Sequence, residues 1–196
     1  MFSKPYLGIN IFENVPNHLG DGCQIGDYIY VPLEYWGGCG DFVHYGEKSS
    51  DHFILKINKK DLSLEQAYKI EITEISGIGT DGKILYIVSY CDGSKIWIYD
   101  FDGNYIDFIP LSQPINNIQG IAVDSRKNEF YVSCDLDKSI YKFDLYGNLI
   151  SKVLEATENI TLEGLDIIKN KIYILIESYP INSLPMQIIH IFKIKE

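Results

Sequence analysis

One short motif recurs along the chain, and its recurrence constrains the fold more than any other feature. Three copies centre on a glycine: Ile75-Ser76-Gly77-Ile78, Ile118-Gln119-Gly120-Ile121 and Leu162-Glu163-Gly164-Leu165. A degenerate copy, His18-Leu19-Gly20-Asp21, precedes them, so the aligned glycines are 57, 43 and 44 residues apart. Each copy leads through a polar turn into an aromatic-rich strand: Tyr28-Ile29-Tyr30-Val31, Leu85-Tyr86-Ile87-Val88, Phe130-Tyr131-Val132-Ser133 and Ile172-Tyr173-Ile174-Leu175. The second half repeats as well. Ile96-Trp97-Ile98-Tyr99-Asp100 and Ile140-Tyr141-Lys142-Phe143-Asp144 alternate and run into Asp102-Gly103-Asn104 and Tyr146-Gly147-Asn148. Gly and Asn supply the positive φ of tight hairpins. Fourth strands are expected near 105–109 and 149–153. Each unit reads as a four-stranded antiparallel meander of about 44 residues, the size of a propeller blade.

Composition agrees. Only three of 196 residues are alanine, against fifteen tyrosines, and β-branched and aromatic side chains favour pleated surfaces. The formal charge of −10 argues against a nucleic-acid footprint or an anionic membrane surface, both of which need clustered Lys and Arg. No apolar run reaches the roughly 20 residues of a membrane helix. The opening Met1-Phe2-Ser3-Lys4-Pro5 has no leader pattern, which gives a cytoplasmic location as the expectation.

The expected fold is all-β: one propeller domain of four blades, about 17–72, 73–115, 116–159 and 160–196. The last unit has only three strands, near 165–168, 171–176 and 188–194, so residues 5–13 are expected to supply its outer strand and close the ring. Closure removes unprotected end faces. An open four-repeat arc that pairs with another copy is the alternative, so an oligomer stays open.

Gln119-Gly120-Ile121-Ala122-Val123-Asp124, Tyr131-Val132-Ser133, Phe143-Asp144 and Leu162-Glu163-Gly164-Leu165 resemble propellers of the NHL, SMP-30 (gluconolactonase-like) and SdiA-regulated type. The resemblance covers about 17–194 and implies a fold rather than an activity, since relatives include lactonases, lyases, glutaminyl cyclases and binding domains. The chain has fewer blades than those families usually carry. In SMP-30-like enzymes the glutamate of the Glu-Gly element holds a metal, which by resemblance falls on Glu163.

In a propeller the loops between strands two and three share a face with the loops that lead into each blade. The longest irregularity lies there, within 34–52, with Tyr35, Trp36, Cys39, Phe42, His44 and Tyr45; a second, 178–187, holds Tyr179. Rigid aromatic side chains make these loops a candidate binding surface. The residues before the aligned glycines are Leu19, Ser76, Gln119 and Glu163, and they converge near the channel with His18 and Asp21. Glu163, Asp21 and the Gln119 amide suit calcium or magnesium, and His18 would favour zinc. The alternative is that these side chains satisfy backbone donors and channel waters. Asp92, Asp135 and Asp137 make the same face acidic, which favours a cationic ligand.

Four cysteines, Cys23, Cys39, Cys91 and Cys134, form no Cys-x-x-Cys pair and are expected to be reduced. No nucleophile elbow and no phosphate-binding loop occur. The leading reading is a binding module for a small molecule or protein, with Tyr35, Trp36, Tyr45, Tyr179 and Gln119 as contacts. The second is a metal-dependent hydrolase or lyase of lactonase type, in which Glu163, Asp21 and Gln119 hold the ion and His18 or His44 serves as acid or base. The third is a structural assembly subunit.

Overall fold

A computed structural model describes residues 18–34, 52–72, 74–156, 160–178 and 186–193. Four antiparallel sheets follow one another along the chain. The first is β1 (His18–Leu19), β2 (Cys23–Ile25), β3 (Tyr28–Glu34), β4 (His52–Asn58) and β5 (Leu64–Ile70). The second is β6 (Ile75–Thr80), β7 (Leu85–Ser89), β8 (Lys95–Tyr99) and β9 (Tyr105–Pro110). The third is β10 (Ile118–Asp124), β11 (Glu129–Cys134), β12 (Ser139–Asp144) and β13 (Leu149–Glu155). The fourth is β14 (Ile160–Ile168), β15 (Lys171–Ser178) and β16 (Met186–Lys193). Strand order follows chain order in sheets two to four, while β1 and β2 both pair with β3. The molecule is a four-bladed all-β propeller, and no helix occurs among the described residues. Residues 5–13, the expected closing strand, lie outside the described residues, so the last blade is described by three strands.

Period-two alternation decides which seam each side chain fills. On β7, Leu85 and Ile87 turn toward blade one and pack with Tyr30, Ile54 and Ile70. Tyr86 and Val88 turn the other way and join Ile121, Phe130, Val132 and Phe143 of blade three. On β11, Tyr131 faces blade four, where Leu162, Ile172 and Ile174 complete the cluster. Phe130 and Phe143 stack at 5.4 Å between centroids. In blades two and three the second strands, β7 and β11, are buried on both faces, and they read as nearly unbroken apolar runs.

The inner strands meet at the axis, and there the repeated glycines find their reason. A Cβ on Gly20 would stand 2.3 Å from the Ser76 carbonyl oxygen, and one on Gly77 3.0 Å from the Gly120 Cα. A Cβ on Gly120 would stand 2.6 Å from Asp21 Oδ2, and one on Gly164 3.0 Å from Asp21 Oδ1. Four blades leave too little room at the centre for side chains on those positions.

Two hairpins show how local chemistry fixes blade edges. Asp144 Oδ1 accepts from the Tyr146 and Asn148 backbone N–H groups at 2.9 Å each, and Oδ2 accepts from the Asn148 amide at 2.9 Å. Asp100 repeats the arrangement with Asp102 and Asn104. Gly103 and Gly147 take φ of +76° and +84° in these turns. The bonds hold the Asp144 carboxyl below its ordinary range, Asn148 contributing most. A group lowered in the folded state stabilises above its unfolded pKa and loses that contribution as pH falls through the folded value. Asp144→Ala is therefore expected to lower the melting temperature at neutral pH, by an amount that shrinks below about pH 4.

Cys23 and Cys134 are free thiols, and the Cys134 thiol donates to the Asn116 carbonyl at 3.1 Å. Cys91 is disulfide-bonded, which corrects the expectation that every thiol is reduced. Alkylation of the denatured, unreduced chain should thus add two groups where the fully reduced chain adds four. Four groups without reductant would contradict the bond. Disulfides are held mainly in oxidising compartments, so the same count bears on where the chain resides.

Candidate functional site at the channel mouth

The inner strands of blades two, three and four carry a register shift at the residue just before the aligned glycine. The ladder slips between Ile75 and Gly77, between Ile118 and Gly120, and between Leu162 and Gly164. A bulge of this kind leaves one residue unpaired and re-aims its side chain. The re-aimed residues are Ser76, Gln119 and Glu163, and all three line one cavity of about 590 Å³ at the mouth of the channel. In blade one the inner strand breaks altogether between β1 and β2. Asp21 there forms a parallel bridge with Gly77, its N–H donating to Ser76 O and its carbonyl accepting from Ile78 N, both at 2.8 Å.

The second strands supply the opposite wall. Tyr90, Asp135 and Glu177 lie at or just beyond the ends of β7, β11 and β15, and all line the cavity. At the end of β3, Glu34 is 1 % exposed and its Oε1 stands 2.8 Å from His18 Nδ1. That carboxylate raises the His18 pKa, with smaller contributions from Glu163 and Glu74. Burial pushes Glu163 upward, and Glu177 and Asp135 add to the shift while His18 and Lys138 oppose it. Asp135 is held by Lys138 at 2.5 Å. The mouth is a crowded acidic basin, compensated by Lys138 and, when it is protonated, by His18.

Asp21 is placed differently from its neighbours. Its Oδ2 accepts from Leu165 N at 2.9 Å, which ties blade one to blade four. Although the residue as a whole is partly exposed, its carboxyl is enclosed by Gly120, Gly164 and Leu165. Burial pushes its pKa up to about 8. A group that keeps its proton near neutrality and spends one oxygen on a backbone donor is a poor metal ligand. Among the described residues no three His, Cys, Asp or Glu side chains are gathered so as to hold a metal ion. The divalent-ion set of Glu163, Asp21 and Gln119, with His18 beside it, shares a cavity but as placed does not fit a calcium, magnesium or zinc centre.

Sequence reasoning thus brings His18, Leu19, Asp21, Ser76, Gln119 and Glu163 to one place, and the structure assembles them there. Tyr35, Trp36, His44, Tyr45 and Tyr179 lie outside the described residues. Asp92 and Asp137 have local partners instead: Asp92 takes Ser94 and Lys95, and Asp137 takes Tyr141 and Lys152. Glu34 and Glu177 are not singled out by the sequence pattern. Their signal is an acid closing an otherwise apolar second strand, which an alternating pattern does not aim by itself.

No protein-family model matches the chain, and no curated protein matches it. Solved structures do. The hydrazine synthase of Kuenenia stuttgartiensis matches at TM-score 0.52 and 10 % identity, over 95 % of this chain and 48 % of that one. The glutaminyl cyclase of Myxococcus xanthus matches at 0.61 and 10 %, over 90 % and 74 %. A gluconolactonase of Xanthomonas campestris matches at 0.54 and 19 %, over 86 % and 56 %. The chain therefore spans about half the length of the first and third of these. At such identities the similarity is one of fold: the chain is a small β-propeller whose structural neighbours include a gluconolactonase and a glutaminyl cyclase.

Proposed function

We propose that this propeller is a binding module and that its ligand, a small molecule or an extended part of a protein partner, seats in the channel-mouth cavity. One observation carries the reading: three successive blades spend a bulge to turn Ser76, Gln119 and Glu163 into a single cavity. Bulges interrupt ladder pairing, and their repetition at the same position is what a site on a rigid scaffold requires. A cavity of about 590 Å³ falls within the range of small-ligand pockets. Tyr35 and Trp36 follow Glu34 directly in the sequence and Tyr179 follows Ser178, so the proposal keeps them as further contacts.

The test uses a plug. Leu19 lines the cavity and is 58 % exposed, so Leu19→Trp adds bulk at the mouth without disturbing the core. In a thermal-shift screen with a chemically mixed small-molecule library, compounds that stabilise the wild type should lose at least about half of their shift in the plugged variant. Compounds that stabilise both proteins equally would place the ligand elsewhere and remove the proposal.

A further inference from the structure

We infer that the channel-mouth cavity takes an organic cation bearing N–H donors, a primary ammonium or guanidinium group, whose hydrogen bonds go to Glu163 and Ser76. The inference rests on the ligand-binding reading above and names the ligand class of that same site.

The lining is rich in hydrogen-bond acceptors. Glu163, Glu177 and Asp135 contribute carboxylates, Gln119 an amide and Ser76 a hydroxyl. Ser76 supplies the independent observation. It is 2 % exposed, it lines the cavity, and its Oγ has no hydrogen-bond partner. A buried hydroxyl left unsatisfied costs free energy that a ligand N–H or O–H recovers.

The charges nearby select the sign. The charge that a protonated His18 carries is matched by Glu34 at 2.8 Å, and that on Lys138 by Asp135 at 2.5 Å. Glu163 is crowded by Glu177 and Asp135, and a cation beside it relieves both repulsions. The arrangement also selects among cations. The carboxylates ring the mouth without converging on one point, and among the described residues no three ligating side chains fit a metal ion. A group spread over several atoms reaches them where a bare ion does not. The described lining is made of carboxylates, an amide and a hydroxyl far more than of the Tyr, Trp and Phe rings that hold a quaternary ammonium, Tyr90 being the one such ring among the described residues that line it. Ammonium and guanidinium groups instead make charge-assisted N–H bonds to carboxylates.

The experiment titrates the full chain with a matched series: benzylamine (cation), benzyl alcohol (neutral), benzoate (anion), benzyltrimethylammonium (quaternary cation) and calcium chloride. Binding is read by amide NMR at neutral pH and about 150 mM salt. Benzylamine is expected to shift the Ser76, Gln119 and Glu163 amides, and to bind at least about tenfold tighter than benzyl alcohol or the quaternary analogue. Glu163→Gln should weaken benzylamine about tenfold and leave benzyl alcohol unchanged, with Ser76→Ala giving a smaller loss as a second variant. Equal affinity for benzylamine and benzyl alcohol would overturn the cation inference and leave the binding site standing. Calcium shifting these amides where benzylamine does not would overturn it in favour of a metal ion. Shifts from no member of the series, while library compounds still act through the mouth, would also overturn it. If the plugged variant loses nothing to any compound, the binding reading itself has failed.

Discussion

Gly120→Ala is expected to destabilise the protein by on the order of 3 kcal/mol, with Gly20→Ala at least as damaging. The added methyl at Gly120 would stand 2.6 Å from Asp21 Oδ2 and 3.1 Å from Leu165 N, against the bond that joins blades one and four. At Gly20 the obstacle is backbone, the Ser76 carbonyl oxygen at 2.3 Å, and a carbonyl engaged with Asp21 N cannot step aside. Urea unfolding should show the midpoint falling at unchanged slope, since the same surface is exposed on unfolding. In a chain of this size the melting point should drop by roughly 6–12 °C. If alanine at both positions leaves the midpoint in place, the four inner strands do not meet as described.

The second large effect belongs to Asp21. Its carboxyl is pushed up to about 8 in the folded protein, whereas in the unfolded chain it titrates near 3.8. Between those values the folded state keeps a proton that the unfolded state releases, so this group makes stability fall as pH rises. Asn keeps a carbonyl oxygen for Leu165 N, does not titrate, and places N–H groups where the protonated acid had its O–H. Asp21→Asn is therefore expected to be more stable than wild type by a few kcal/mol, on the order of magnitude, at pH 8, with the gap closing toward pH 5. His18 is raised as well, and its contribution is present below its unfolded pKa of about 6.5 and lost as pH climbs through the higher folded value. Wild type therefore declines for two reasons, and the difference between the two proteins isolates Asp21. Asp21→Ala removes the acceptor and should be less stable than the Asn variant by about 1–3 kcal/mol, because it leaves the Leu165 N–H unpaired. A parallel pH dependence in wild type and Asn variant would show that the carboxyl is solvated.

The blades were legible because backbone geometry forces residue type at a few positions. Gly103 and Gly147 need positive φ, Asp100 and Asp144 tie the same turns, and the axial glycines admit no Cβ. These constraints repeat with the fold, blade by blade. The position of Glu163, Gln119 and Ser76 at the mouth could be read from their place before the glycines. Their aim could not, since it depends on bulges that show only in the pairing register. Asp21 breaks the apolar pattern at its position, which by itself reads as a ligand. Its enclosure follows from how close four blades bring their inner strands, which no single repeat encodes. Glu34 and Glu177 sit at strand ends where facing is decided by the neighbouring blade. Cys91 shows the same limit, because spacing along the chain does not say which thiol a loop brings near.

The central claim is that bulges in three blades build one binding mouth, and it is tested most directly by following every backbone amide while the strongest stabiliser from the library screen is titrated in. The account predicts that Ser76, Gln119, Glu163 and Leu165 shift together along one saturation curve, although 89 residues separate the first from the last. Shifts confined to an outer strand such as β9, with those four amides unmoved, would contradict it.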